Sequence, residues 1–204
     1  MVMSRPSLLP DAEADRPSSW LARHSSDKPY RQGDLDGLCG IYAVVNALLL
    51  LTAKAAPWTR TYSRSLFRRG VAMINAKGDL DAVILDGMAP ERWFKLVEAL
   101  AEQVASDLRL DIHVDRLETG SASIRFPLVQ EAIEAALARD ALVLVLLDGV
   151  HQHYTVIASH TPQQFLLYDS LGLRRLTKQL CGNERSNKRH RIASRWVVIL
   201  EVTA

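Results

Sequence analysis

The stretch that most constrains the fold is residues 39–55. After Cys39 and Gly40, the residues Ile41, Val44, Val45, Leu48, Leu49 and Leu51 put apolar side chains on nearly every side of a helix. Such a helix has no solvent face, so it is predicted to run through the middle of the protein with other elements packed around it. Pro57 ends it. Its apolar run, residues 41–52, is interrupted by Asn46 and is too short to cross a bilayer. Upstream lies a polar loop in which Gly33, Asp34, Asp36 and Gly37 supply turn chemistry. Cys39, one of only two cysteines, therefore stands where loop meets helix. There its sulfur faces the positive end of the helix dipole and a set of unpaired N–H groups, which favour thiolate over thiol. The plainer role for Cys39 is that of a small buried side chain at the start of a core helix.

The rest of the chain supports one domain with a sizeable core, since 204 residues are present and nearly half are apolar. Residues 1–28 carry Pro6, Pro10 and Pro17, several serines and scattered charges without an apolar segment, which predicts a flexible leader and not a secretory signal. A net charge of +2 gives no general argument for a nucleic-acid or membrane partner. Cys39 and Cys181 are too few for a disulfide framework, so a reducing compartment such as the cytoplasm is expected, with export by a signal-independent route left open. Helical spacing marks residues 62–76, with Arg64, Arg68 and Arg69 on a solvated face, then residues 90–107 and 127–139. Residues 108–114 alternate like a strand, and residues 120–123 form a loop. From residue 141 the period becomes that of strands, at 141–147, 153–159, 164–169 and 195–202. Short turns at Gly149 and at Thr161-Pro162 suit antiparallel hairpins. Residues 178–195 are polar and basic and are expected to be an exposed loop. Helices first and an antiparallel sheet last make an α+β pattern.

A thiolate nucleophile needs a base, an orienter for that base, and donors for the oxyanion formed on attack. His153 opens one predicted strand and Asp169 closes the next, so the two are placed to meet across a hairpin. His151 is a rival base: strand alternation puts it on the same face, although His153 continues better into an apolar strand. Gln32 lies seven positions before Cys39 and can fold back over the helix start, its amide N–H converging with that of the Cys39 backbone. Taken singly these residues have ordinary roles in turns and on surfaces. Their order along the chain is what points to catalysis.

That order resembles the papain-like cysteine peptidase superfamily, whose members include papain, bacteriocin leader-processing peptidases, Josephin deubiquitinases and several bacterial effector peptidases and deamidases. The match rests on Cys39-Gly40, the helix after it and the strand that begins at His153, and covers residues 32–53 and 143–172. The resemblance implies that Cys39 is the nucleophile, His153 the general base and acid, Asp169 the orienter and Gln32 the oxyanion-hole glutamine. The gap from Gln32 to Cys39 is one residue longer than in papain, which leaves Asp34 or a backbone donor as substitutes. Residues 29–204 would then be a single papain-like catalytic domain that hydrolyses amide or isopeptide bonds of a protein or peptide substrate. A glutamine deamidase or transamidase, and a binding module without turnover, are the alternatives. No cofactor is implied. No metal is expected, because His151 and His153 have no further ligands at familiar spacing. Specific nucleic-acid binding is not expected either, since the basic run 185–191 lacks interleaved aromatics.

Overall fold

The computed structural model describes residues 28–33, 36–56, 58–76, 78–117 and 124–203. The expected leader as far as residue 27, Asp34, Pro57 and the loop at 120–123 lie outside the described residues. The chain is a mixed α+β protein with five helices and eight strands among the described residues. The helices are α1 (Cys39–Thr52), α2 (Arg60–Asn75), α3 (Leu80–Asp86), α4 (Pro90–Leu108) and α5 (Phe126–Ala138). The strands are β1 (Asp111–Arg116), β2 (Leu142–Gly149), β3 (His153–His160), β4 (Gln164–Tyr168), β5 (Arg175–Thr177), β6 (Cys181–Asn183), β7 (His190–Ile192) and β8 (Val198–Thr203). Helices fill the N-terminal part and the sheet the C-terminal part, with β1 inserted between α4 and α5.

The sheet runs in the order β1-β8-β2-β3-β4-β5, and β7 joins it beside the end of β2. All pairings are antiparallel except the short parallel contact of β6 with β7. Alternation along β2 explains the two cores. Leu142 and Leu144 face the layer of α1 to α4, whereas Val143, Val145 and Leu147 face α5 on the other side. A strand buried on both faces shows a continuous apolar run in the sequence, as residues 141–147 do.

Helix α1 occupies the centre, with twelve of its fourteen residues buried. It packs against β2, β3 and β8 on one side and against α2 and α4 on another. Each fully buried Ile, Leu or Val there contributes about 1.5–3 kcal/mol relative to exposure. The segment before α1 is pinned to α3: the Gly37 N–H donates to the Ile84 carbonyl at 2.6 Å. A Cβ on Gly37 would lie 2.7 Å from the Val83 carbonyl oxygen, so only glycine allows this approach. Among the described residues no helix is long and apolar enough to cross a membrane.

Four expectations need correction. Residues 178–195 form an irregular, largely exposed loop only at 184–189, and around it they hold β6, β7 and two short 3-10 turns, Lys178–Leu180 and Ser194–Trp196. Cys181 and Ile192 plug the α5-side core, and Lys178 is buried over the Phe165 ring while pairing with Glu134 at 2.7 Å. Three-residue strands are too short to show alternation, so the polar composition hid them. The strand expected at 108–114 begins only at Asp111, because α4 runs to Leu108 and stops at Arg109 in the left-handed region. His151 does not share a strand face with His153, since β3 starts at His153 and Gln152 breaks the chain direction with a φ of 42°. The last strand starts at Val198, the 3-10 turn taking residues 194–196.

Candidate active site

Cys39 is the first residue of α1 and is buried. The turn before it is organised by Asp36, whose two carboxylate oxygens accept from the Leu38 N–H at 3.1 Å and the Gly33 N–H at 3.1 Å. Leu38 supplies a carbonyl to the N–H groups of Ile41 and Tyr42. Among the described residues no acceptor takes the Cys39 N–H, one of the donors that a helix start leaves free.

His153 opens β3 and reaches the same place from the sheet. The register Val156↔Tyr168 puts Asp169, the first residue after β4, opposite Thr155 and diagonal to His153. Across that diagonal His153 Nε2 lies 2.6 Å from Asp169 Oδ1, and both side chains are almost completely buried. The second carboxylate oxygen accepts the Leu171 N–H at 2.9 Å and the Leu173 N–H at 3.0 Å, which fixes the carboxylate plane. With Nε2 engaged, Nδ1 remains open, and Cys39 is near enough to act on the charge of the ring, while its Sγ lies 3.9 Å from the Gly37 carbonyl oxygen. The three side chains named from the sequence therefore meet.

Gln32 is brought to this place by two grips. Its backbone N–H donates to the Ser170 carbonyl at 3.2 Å, next to Asp169. Two residues earlier, Asn46 of α1 holds Tyr30 by both backbone groups, accepting its N–H at 2.8 Å and donating to its carbonyl at 3.1 Å. Asn46 is wholly buried. The apparent flaw in the apolar helix is thus the clamp that aligns the Gln32 segment. The Gln32 amide donates one N–H to the Asp36 carbonyl, which leaves its second N–H uncommitted among the described residues.

The chain matches no protein-family model, and no curated protein is significantly similar to it. The chemistry of the site therefore rests on its own geometry and electrostatics.

Burial works against a charge on His153, but the hydrogen bonds and charges of Asp169 and Cys39 overcome it and push the imidazole pKa up to about 9. Burial likewise works against the Asp169 carboxylate, and hydrogen bonding to His153, with help from Thr155 and the Leu173 N–H, holds it below the usual carboxylate range. His151 goes the other way. It stacks on His190 with ring centroids 5.2 Å apart and its Nε2 is 3.0 Å from His190 Nδ1. Burial and the nearby positive charges of His153 and Arg189 lower its pKa, and burial, His151 and Arg189 lower that of His190. The two candidate bases therefore shift in opposite directions, the His153 pKa upward beside Asp169 and the His151 pKa downward beside His190. His190 was missed in the sequence because it lies in the basic run expected to be an exposed loop. Cys181, the other thiol, is buried, donates to the Thr177 carbonyl at 3.4 Å and is pushed up to about 12 by desolvation, against the nearby Lys178 charge. Among the described residues no group of three His, Cys, Asp or Glu side chains is placed to hold a metal ion.

Proposed function

We propose that the chain is a papain-like cysteine hydrolase that acts on amide or isopeptide bonds of a protein or peptide. The observation that carries this is the continuous path from Asp169 through His153 to Cys39, with its 2.6 Å carboxylate–imidazole contact. In this scheme the Cys39 thiolate, paired with the His153 imidazolium, attacks the substrate carbonyl carbon. The oxyanion that forms takes the Cys39 N–H and the second N–H of Gln32. As the C–N bond breaks, His153 gives its proton to the leaving amine, and a thioester to Cys39 remains. A water, deprotonated by His153, then attacks the thioester, releases the acid and restores the thiol pair. Asp169 keeps Nδ1 aimed at sulfur and stabilises the charged ring throughout.

Three of the large apolar side chains exposed among the described residues lie close along the chain to site residues: Leu85 follows the Ile84 whose carbonyl holds Gly37, Val150 lies three residues before His153, and Leu171 donates its N–H to Asp169. Exposed apolar side chains of this kind suit contact with a polypeptide. The two buried, unpaired thiols fit a reducing compartment such as the cytoplasm.

The test is incubation of the purified chain with a library of proteins and peptides, reading new amino termini and ammonia separately, with Cys39→Ala as control. New chain ends lost in Cys39→Ala are the expected result. Ammonia without new ends would make the same apparatus a glutamine deamidase, and neither product would overturn the hydrolase.

A further inference from the structure

Beside α1 lies a cleft of about 420 Å³ whose chemistry the triad does not use. Its floor is apolar, with Tyr42 and Phe67 in contact at 4.9 Å between ring centroids. Four arginines line its walls: Arg60, Arg64 and Arg68 from α2, and Arg31 from the segment that Asn46 aligns. The α2 arginines recur every fourth residue, so they stand on one face about 6 Å apart along the axis. All four side chains are exposed, and none forms an ion pair among the described residues. The Asp36 carboxylate acts on Tyr42 at one end of the floor, and four guanidinium groups around that floor repel each other unless something negative lies between them.

The cleft shares two chain segments with the candidate active site, the one leading to Gln32 and the first turns of α1. Arg31 directly precedes Gln32, and its guanidinium packs on the turn after Asp169: a Cβ on Gly172 would come 2.6 Å from Arg31 Nη1, and Gly172 has a φ of +93°. Tyr42 lies one helical turn beyond Cys39, a step of about 5 Å along the axis. An extended polypeptide advances about 3.3 Å per residue, so a substrate reaching from the thiol along α1 brings side chains a few positions from the reacting amide toward the arginines.

We propose that this cleft holds an acidic segment of the protein substrate, with Asp and Glu carboxylates forked by Arg31, Arg60, Arg64 and Arg68 while the backbone lies over Tyr42 and Phe67. Planar guanidinium groups suit paired carboxylates better than ammonium groups would. A nucleic-acid strand is the weaker fit, because the chain carries a net charge of only +2. The proposal builds on the hydrolase above and gives it a substrate class.

The experiment uses full-length Cys39→Ala, so that binding is read without turnover. Fluorescein-labelled synthetic peptides with a cluster of four Asp or Glu residues, matched peptides carrying Asn or Gln instead, and a labelled oligouridine of similar length are titrated by fluorescence anisotropy at 150 mM salt. Acidic peptides are expected to bind at least about tenfold more tightly than their amide counterparts, and Arg64→Glu with Arg68→Glu to remove that preference. Circular dichroism of the double variant establishes that it is folded, and Arg64→Gln with Arg68→Gln serves as a milder second variant expected to weaken the preference. Equal binding of acidic and amide peptides by the parent chain, or tighter binding of the oligonucleotide, overturns the proposal. Preference for acidic peptides in a chain whose wild-type Cys39 fails to react with iodoacetamide upholds the cleft and overturns the hydrolase on which its substrate role depends.

Discussion

Asp169 does three jobs with one carboxylate: it orients His153, raises the charge affinity of that imidazole, and closes the turn through the Leu171 and Leu173 N–H groups. Asp169→Asn keeps the shape and removes the charge, so burial alone then acts on the imidazole. In wild type the alkaline limb of kcat/KM should have its midpoint near 9, where the His153 proton is lost. In Asp169→Asn that midpoint should fall by more than one pH unit and the plateau rate by at least roughly tenfold, as a pH–rate profile would measure. An unchanged limb would separate His153 from the rate. At this scale the sequence was informative about Cys39, His153 and Asp169, because each sits at a junction where an element begins or ends. It was uninformative about Asn46 and His190. Asn46 resembled an interruption in an apolar helix, and its use is visible only once Tyr30, sixteen residues away, lies beside it. His190 belonged to a segment whose charge spoke louder than its place in the sheet.

Helix α1 fixes the site only because flanking segments are tied to it. Asn46→Ala removes two hydrogen bonds to Tyr30 in a fully buried setting, which should cost about 2–3 kcal/mol and show as a lower urea midpoint. The same variant should lower kcat, because Gln32 loses its alignment, and raise KM for acidic substrates, because Arg31 lies on the same segment. Gly37→Ala tests the other anchor. The added methyl meets backbone oxygen at 2.7 Å, which side-chain motion cannot relieve, and about 1–3 kcal/mol of destabilisation is expected by thermal denaturation. Long periodic elements were legible: α1, α2, α4 and α5 lie within a few residues of where spacing places them, as do the strands of the two hairpins. The seven-residue α3 and the three-residue β5, β6 and β7 were not, because fewer than two turns or two alternations leave no period to read. Their positions follow from tertiary packing, with Cys181 and Ile192 drawn into the core beneath α5.

For the molecule as a whole, the buried His153–Asp169 pair links folding to pH. A folded-state imidazole pKa of about 9, above the ordinary 6.5, contributes stability that is fully present below pH 6.5 and is lost as pH rises through 9. The lowered Asp169 pKa contributes stability present above about pH 4 and lost as pH falls further. Unfolding free energy should therefore fall between pH 6.5 and 9 by on the order of 3 kcal/mol in wild type and much less in His153→Ala, as urea titrations at the two pH values would show. The α+β class, with its helical first part and antiparallel last part, could be foreseen from the change of period near residue 141. The separation of the sheet into two cores could not, because it depends on which strands end up in the middle. The central claim is that Cys39 is activated by the His153–Asp169 pair, and intact-protein mass spectrometry after brief exposure to iodoacetamide near neutral pH tests it most directly. One adduct at Cys39, none at Cys181, and a rate at least roughly tenfold lower in His153→Ala is the predicted result. Labelling at Cys181 first, or at Cys39 with equal speed in wild type and His153→Ala, would contradict it.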